Sequence, residues 1–113
     1  MHQLIDGKDR VMELKDQTAL VTGAGSGIGR ALAVTFGREG MRVVCVGRRG
    51  ERLEETRAMI EERGARALAI PADVTNWEDV RRITATALNR YCHIDVAFNN
   101  AASFRTIAPV YDS

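Results

Sequence analysis

The chain has 113 residues, 45% of them hydrophobic and 27% charged, and a formal net charge of +1. That is the composition of one globular domain, and so balanced a charge gives no footing for nucleic acid or an anionic membrane surface. Apolar runs such as Val43-Val44-Cys45-Val46 fall far short of the roughly 18 residues that span a bilayer.

Residues 1–11 (MHQLIDGKDRV) are polar and aperiodic and are expected to form a flexible tail. Residues 12–113 are then the folded domain, with Met12 a candidate native start. Met1–Lys15 carries six charges and lacks the apolar core of a signal peptide, so the expected compartment is the cytoplasm. Ala19-Leu20-Val21 is a short apolar run ending in glycines, as a buried parallel strand does. Ile28, Ala31, Leu32, Thr35 and Phe36 share one helical face, and Gly37 and Gly40 mark that helix's end. Val43–Val46 is a second strand. Leu53, Thr56, Met59 and Ile60 stripe a second helix, with Gly64 placed to cap it. Leu68-Ala69-Ile70, stopped by Pro71, is a third strand. Thr75-x-x-Glu78 fits a capping box for a third helix whose Val80, Ile83, Thr84, Ala87, Leu88 and Tyr91 face inward. Val96-Ala97-Phe98 is a fourth strand. The alternation β-α-β-α-β-α-β predicts an α/β fold, a Rossmann-type doubly wound parallel sheet of strand order 3-2-1-4. Its ligand crevice is expected at the carboxyl ends of the first and fourth strands.

The turn after the first strand reads Thr22-Gly23-Ala24-Gly25-Ser26-Gly27-Ile28-Gly29. Gly23 permits a sharp exit from the strand, Gly27 lets backbone approach a pyrophosphate, and Gly29 lets the helix pack close on the sheet. The helix N-terminus then supplies N–H groups and partial positive charge. No Lys-Ser/Thr follows, so this is not a Walker A loop. In a nicotinamide site an acid about 20 residues on holds the adenosine ribose hydroxyls. Here the second strand ends in Gly47 followed by Arg48 and Arg49. A guanidinium at 48 suits a 2′-phosphate, which favours NADP, with NAD as the alternative; Arg49 reads as a solvated charge. Asp73-Val74 and Asn99-Asn100-Ala101-Ala102 follow the third and fourth strands, so both line the same crevice.

These turns together resemble the short-chain dehydrogenase/reductase family, from about Met12 to Ser113. TGAGSGIG matches the family's cofactor turn, Asp73-Val74 its adenine-contacting pair, and Asn99–Ala102 its NNAG, with Ala102 for the usual glycine. The resemblance implies that Gly23, Ser26, Gly27, Ile28, Gly29, Arg48, Asp73, Val74, Asn99 and Ala101 contact a dinucleotide. It also implies hydride transfer to a carbonyl or from an alcohol in a full-length form, through a Ser, an Asn and a Tyr-x-x-x-Lys pair. No such pair exists here: Tyr91 is followed by Cys92–Asp95, and Tyr111 only by Asp112 and Ser113. The chain is therefore expected to be the N-terminal cofactor-binding part of such an oxidoreductase, its catalytic half absent, inactive alone and prone to self-association through its fourth strand. The alternative is a non-catalytic nucleotide-binding or interaction module. A methyltransferase with a Gly-rich turn gives no reason for Asp73-Val74 and Asn99–Ala102 together. Cys45 and Cys92 read as reduced thiols, His93 and Trp77 as structural, and no residue set has metal-ligand spacing.

Overall fold

A computed structural model of the chain describes residues 3–5 and 11–100. The elements in chain order are β1 (Gln3–Ile5), β2 (Val11–Glu13), β3 (Thr18–Thr22), α1 (Gly27–Arg38), β4 (Arg42–Gly47), α2 (Gly50–Glu61), β5 (Ala67–Pro71), α3 (Trp77–Tyr91) and β6 (Val96–Phe98). The last four strands form one parallel sheet in the order β5-β4-β3-β6, which is the expected 3-2-1-4 of a Rossmann-type α/β fold. Among the described residues no helix is long and apolar enough to cross a membrane.

The uninterrupted apolar runs of β3 and β4 reflect helices on both faces of the sheet. Side chains alternate across the pleat. Val21, Val43 and Cys45 pack with Ala33, Leu53 and Ile60 of α1 and α2. Leu20, Val44 and Val46 pack with Ile83, Ala87 and Tyr91 of α3. Where β3 and β6 begin, Asp95 clips them together. Its Oδ2 accepts from Thr18 N at 2.7 Å, its own N donates to Thr18 O at 2.9 Å, and His93 Nδ1 lies 2.6 Å from the same carboxylate. The sheet register, Ala19 opposite Val96, follows from that clip.

Several local expectations need correction. Residues 1–11 are not simply a tail, since Gln3–Ile5 pairs antiparallel with Val11–Glu13. The apolar pairs Leu4-Ile5 and Val11-Met12 lie within the two paired segments, a pattern that average polarity hides. The buried residues of α1 are Gly29, Ala33 and Gly37, while Ile28 is 68% exposed. Small residues mark the line of closest approach, so the larger apolar ones move to the flanks. Gly37 and Gly40 (φ +90°) do bracket the end of α1 at Arg38, and Gly37 is also a packing point, with Ile60 Cγ2 only 2.7 Å from where its Cβ would be. On α2 the inward residues are Leu53, Thr56 and Ile60, and Met59 is exposed. Thr75 is not the cap of α3. Its N–H and hydroxyl both donate to Asp73 Oδ1, and Asn76 takes the capping position, its side chain accepting from Asp79 N. Trp77, expected to pack, is 70% exposed.

Cys92, the exposed C-cap of α3, holds a left-handed φ of +72° without being glycine. The left-handed region costs an L-residue about 1–2 kcal/mol, and a glycine returns about half of that as unfolded-chain entropy. Cys92→Gly is therefore expected to raise the unfolding free energy by up to about 1 kcal/mol in a urea titration. Burial pushes the Cys45 thiol up to about 12, so a thiol reagent at neutral pH should label Cys92 and reach Cys45 only on unfolding. The folded state keeps that proton where the unfolded chain releases it. The stability it contributes is thus whole below about 9.0 and is lost as pH rises toward about 12, which alkaline melting curves would record.

Candidate functional site

β3 brings the chain to the carboxyl edge of the sheet at Thr22, and after four intervening residues α1 starts back across the same face. So tight a reversal needs left-handed backbone at Gly23 (φ +65°) and Gly27 (φ +57°). A Cβ on Gly29 would stand 2.0 Å from the Gly23 carbonyl oxygen, whereas one on Gly27 would meet nothing within 4 Å. The two glycines therefore serve opposite ends: one permits contact between backbone segments, the other keeps space open at the helix entrance. Ser26 occupies the N-cap in extended backbone and makes no side-chain capping bond. The first N–H groups of α1 thus face that space with the partial positive charge of a helix start.

The turn is tied down from behind. Ala24, fully buried, donates its N–H to Val46 O at 3.1 Å. Its carbonyl accepts from Thr56 Oγ1 at 2.8 Å, and Thr56 in turn accepts from Arg30 Nε at 2.9 Å. At the neighbouring strand end, Thr22 Oγ1 donates to Asn99 Oδ1 and accepts from Asn100 N, both at 2.8 Å. Asn100 then lies against the glycines, its carbonyl oxygen 3.2 Å from where a Gly23 Cβ would be.

Beside the turn lies a cleft of about 120 Å³ lined by Gly23, Gly25 and Ser26 on one side and Arg48, Arg49 and Arg52 on the other. Three arginines bordering so small a space favour an anion. Arg48 Nη2 lies 3.3 Å from Asp73 Oδ1 across the ends of β4 and β5. The hydroxyl and N–H of Thr75, followed by the Arg48 charge, hold the Asp73 carboxyl below its usual range, so it stays ionised at neutral pH. A larger cleft, about 730 Å³, opens at the amino ends of β3 and β4 among Lys15, Arg38, Arg42, Arg63 and Arg66. It holds none of the candidate cofactor-binding residues, and its cations lie where α1 and α2 present the negative ends of their dipoles.

Of the sequence-predicted residues, Gly23, Ser26, Gly27 and Gly29 build the turn, and Arg48 joins them at the cleft with Asp73 beside it. Ile28 stands out into solvent at the start of α1. Val74 is half-buried and packs on the apolar cluster under α3. Asn99 is held at the β6 end by Thr22, and Ala101 lies outside the described residues. Arg52 has no part in the sequence reading, Arg49 enters it as a solvated charge, Asn100 as a member of the crevice-lining run, and Thr56 as part of the α2 stripe with no role at the site. Only Thr56 carried a signal: a hydroxyl in an apolar stripe must find a partner.

Residues 17–111 match the family described as short chain dehydrogenase. The chain is 43% identical over 101 residues to a sorbitol dehydrogenase of Cereibacter sphaeroides, covering 89% of this chain and 38% of that enzyme. Among solved structures it resembles an NAD+-bound xylitol dehydrogenase (TM-score 0.77, 34% identity, 88% of this chain and 38% of that one). It also resembles a metagenomic short-chain oxidoreductase in complex with NADP (TM-score 0.75, 34% identity, 79% and 40%). The chain thus spans about two fifths of the length of these relatives.

The two glycines should separate in a mutational test. Gly29→Ala drives a methyl into backbone that cannot yield and is expected to cost about 2–3 kcal/mol in thermal denaturation. Gly27→Ala meets only its left-handed strain, about 1 kcal/mol, and should leave a folded chain.

Proposed function

The chain belongs to the short-chain dehydrogenase family, and from that premise we propose that the crevice at the carboxyl ends of β3 and β6 holds a nicotinamide dinucleotide, NADP in preference to NAD. The observation that carries the reading is the cradle at Gly27, where open space meets an α1 N-terminus without a side-chain cap. A diphosphate fits such a place because it accepts from backbone N–H groups and lies on the positive end of the helix. In this reading Gly23, Ser26, Gly27, Ile28 and Gly29 surround the diphosphate. Asp73 and Val74 border the adenine, and Asn99 and Ala101 the ribose nearer the nicotinamide.

Charge supports NADP. An adenosine ribose with two free hydroxyls calls for a carboxylate acceptor, and the end of β4 offers Arg48 instead, with Arg49 and Arg52 at the same cleft. The bond from Arg48 to Asp73 is no obstacle. Both side chains are well exposed, at 72% and 42%, and such pairs contribute at most about 1 kcal/mol. Arg48 can therefore turn to a phosphate while Thr75 keeps Asp73 anionic.

The bound dinucleotide would supply or take a hydride, and the whole protein is read as an oxidoreductase of carbonyl or alcohol substrates. No Tyr-x-x-x-Lys occurs within these 113 residues, so the part played by these residues is to bind and orient the cofactor. Both cysteines are free thiols, which supports a reducing, cytoplasmic compartment.

Fluorescence titration of the chain with NADPH and with NADH tests this reading. NADPH is expected to bind more tightly, and Arg48→Ala to weaken NADPH by about tenfold, the worth of one charge-assisted contact, with little change for NADH. Equal affinities for the two nucleotides would overturn the NADP assignment, and no binding of either would overturn the dinucleotide reading.

A further inference from the structure

We propose that Thr56, buried in the middle of α2 and aimed by Arg30, is a positioning residue that sets the Gly-rich turn for phosphate binding. The inference deepens the dinucleotide reading and rests on it for its binding readout alone. Thr56 is fully buried, and its single hydroxyl hydrogen has two acceptors in reach: Ala24 O at 2.8 Å and Arg52 O at 3.2 Å, one turn back on its own helix. Arg30, on α1, decides between them. Its Nε donates to Thr56 Oγ1 at 2.9 Å, so the oxygen acts there as acceptor, and its Nη2 donates to Arg52 O at 2.9 Å and engages the competing acceptor. Glu55 Oε1, at 2.9 Å from the same Nη2, holds the guanidinium in place. The hydroxyl hydrogen is left to Ala24 O.

That bond fixes a particular peptide plane. Ala24 sits between Gly23 and Gly25, where glycine leaves the chain free to rotate. Ala24 N is tied to Val46 O and Ala24 O to Thr56, so both polar groups of Ala24 are anchored on the core side. In a trans peptide the N–H points opposite to the preceding C=O. Anchoring Ala24 O inward therefore turns Gly25 N–H outward, toward the mouth of the turn. The Gly25–Arg52 approach, 3.1 Å from a would-be Cβ of Gly25 to Arg52 Cβ, shows how closely α2 backs the turn. Without the Thr56 bond this glycine-flanked peptide would have to be ordered at the moment a phosphate arrived, which weakens binding.

The test compares Thr56→Val, which keeps the shape and loses the hydroxyl, with Thr56→Ser, which keeps the hydroxyl, by amide hydrogen exchange and NADPH titration. Thr56→Val is expected to speed exchange at Ala24, whose N–H is bonded to Val46 O, by about tenfold and to weaken NADPH by a similar factor. In Thr56→Ser both should stay within about twofold of the parent, and the Val43–Val46 amides should be unchanged in each variant. Parental exchange at the turn in Thr56→Val overturns the proposal, as does equal loosening in the valine and serine variants, which would assign the effect to packing. Faster exchange in a chain that binds no NADPH supports the positioning role and removes the dinucleotide reading instead. Should Thr56→Val not fold, Arg30→Met, which leaves the buried threonine in place, should show the same change at Ala24; unchanged exchange there overturns the role given to the Arg30–Thr56 pair.

Discussion

The carboxyl edge of this sheet depends on one close approach: the Gly23 carbonyl oxygen stands 2.0 Å from where a Cβ on Gly29 would be. The first turn of α1 is thereby pressed onto the exit of β3, and the demand for small residues continues along the helix through Ala33 and Gly37. Such residues bury little apolar area, so hydrophobic transfer alone holds this line weakly. Close backbone contact adds dispersion, and Arg30 adds polar ties from α1 to α2. The larger apolar side chains of α1 are displaced to its flanks, which is why Ile28 is turned outward beside the crevice.

Among the described residues the three helices α1, α2 and α3 all start at this edge, but they do not start alike. α3 is capped by its own Asn76 side chain, a contact worth about 1 kcal/mol. α1 and α2, with Ser26 and Arg49 at their N-caps, make no side-chain capping bond. These two border the cleft that also gathers Arg48, Arg49 and Arg52. Positive potential is therefore concentrated at one small place in a chain whose net charge is only +1, so bulk composition could carry no trace of it.

The strands were legible in the sequence because a parallel sheet covered on both faces needs unbroken apolar runs, and β3 and β4 have them. The turn was legible because steric demands leave glycine no substitute at Gly23 and Gly29. The buried face of α1 was not, because hydrophobicity was read where residue size decides. The start of α3 shifted by one residue because Thr75 is committed to Asp73, a partner the capping-box pattern ignores. Thr56 was placed on the inward stripe correctly, yet its partner Ala24 lies 32 residues away. No local pattern joins a helix hydroxyl to a turn carbonyl at that separation; only the packing of α2 behind the turn does.

Two kinds of contact meet at this edge, and their strengths suit different tasks. The Ala24–Thr56–Arg30 chain is mostly buried, so leaving any of its polar groups unpaired costs roughly 1–3 kcal/mol, and it resists rearrangement. The Arg48–Asp73 pair is exposed and contributes at most about 1 kcal/mol, while Thr75 satisfies the carboxylate independently. Arg48 can change partners at little cost, and a phosphate offers it stronger, charge-assisted bonds. The backbone that must be in place before a ligand arrives is thus locked, and the side chain that must exchange one anion for another is left loosely held.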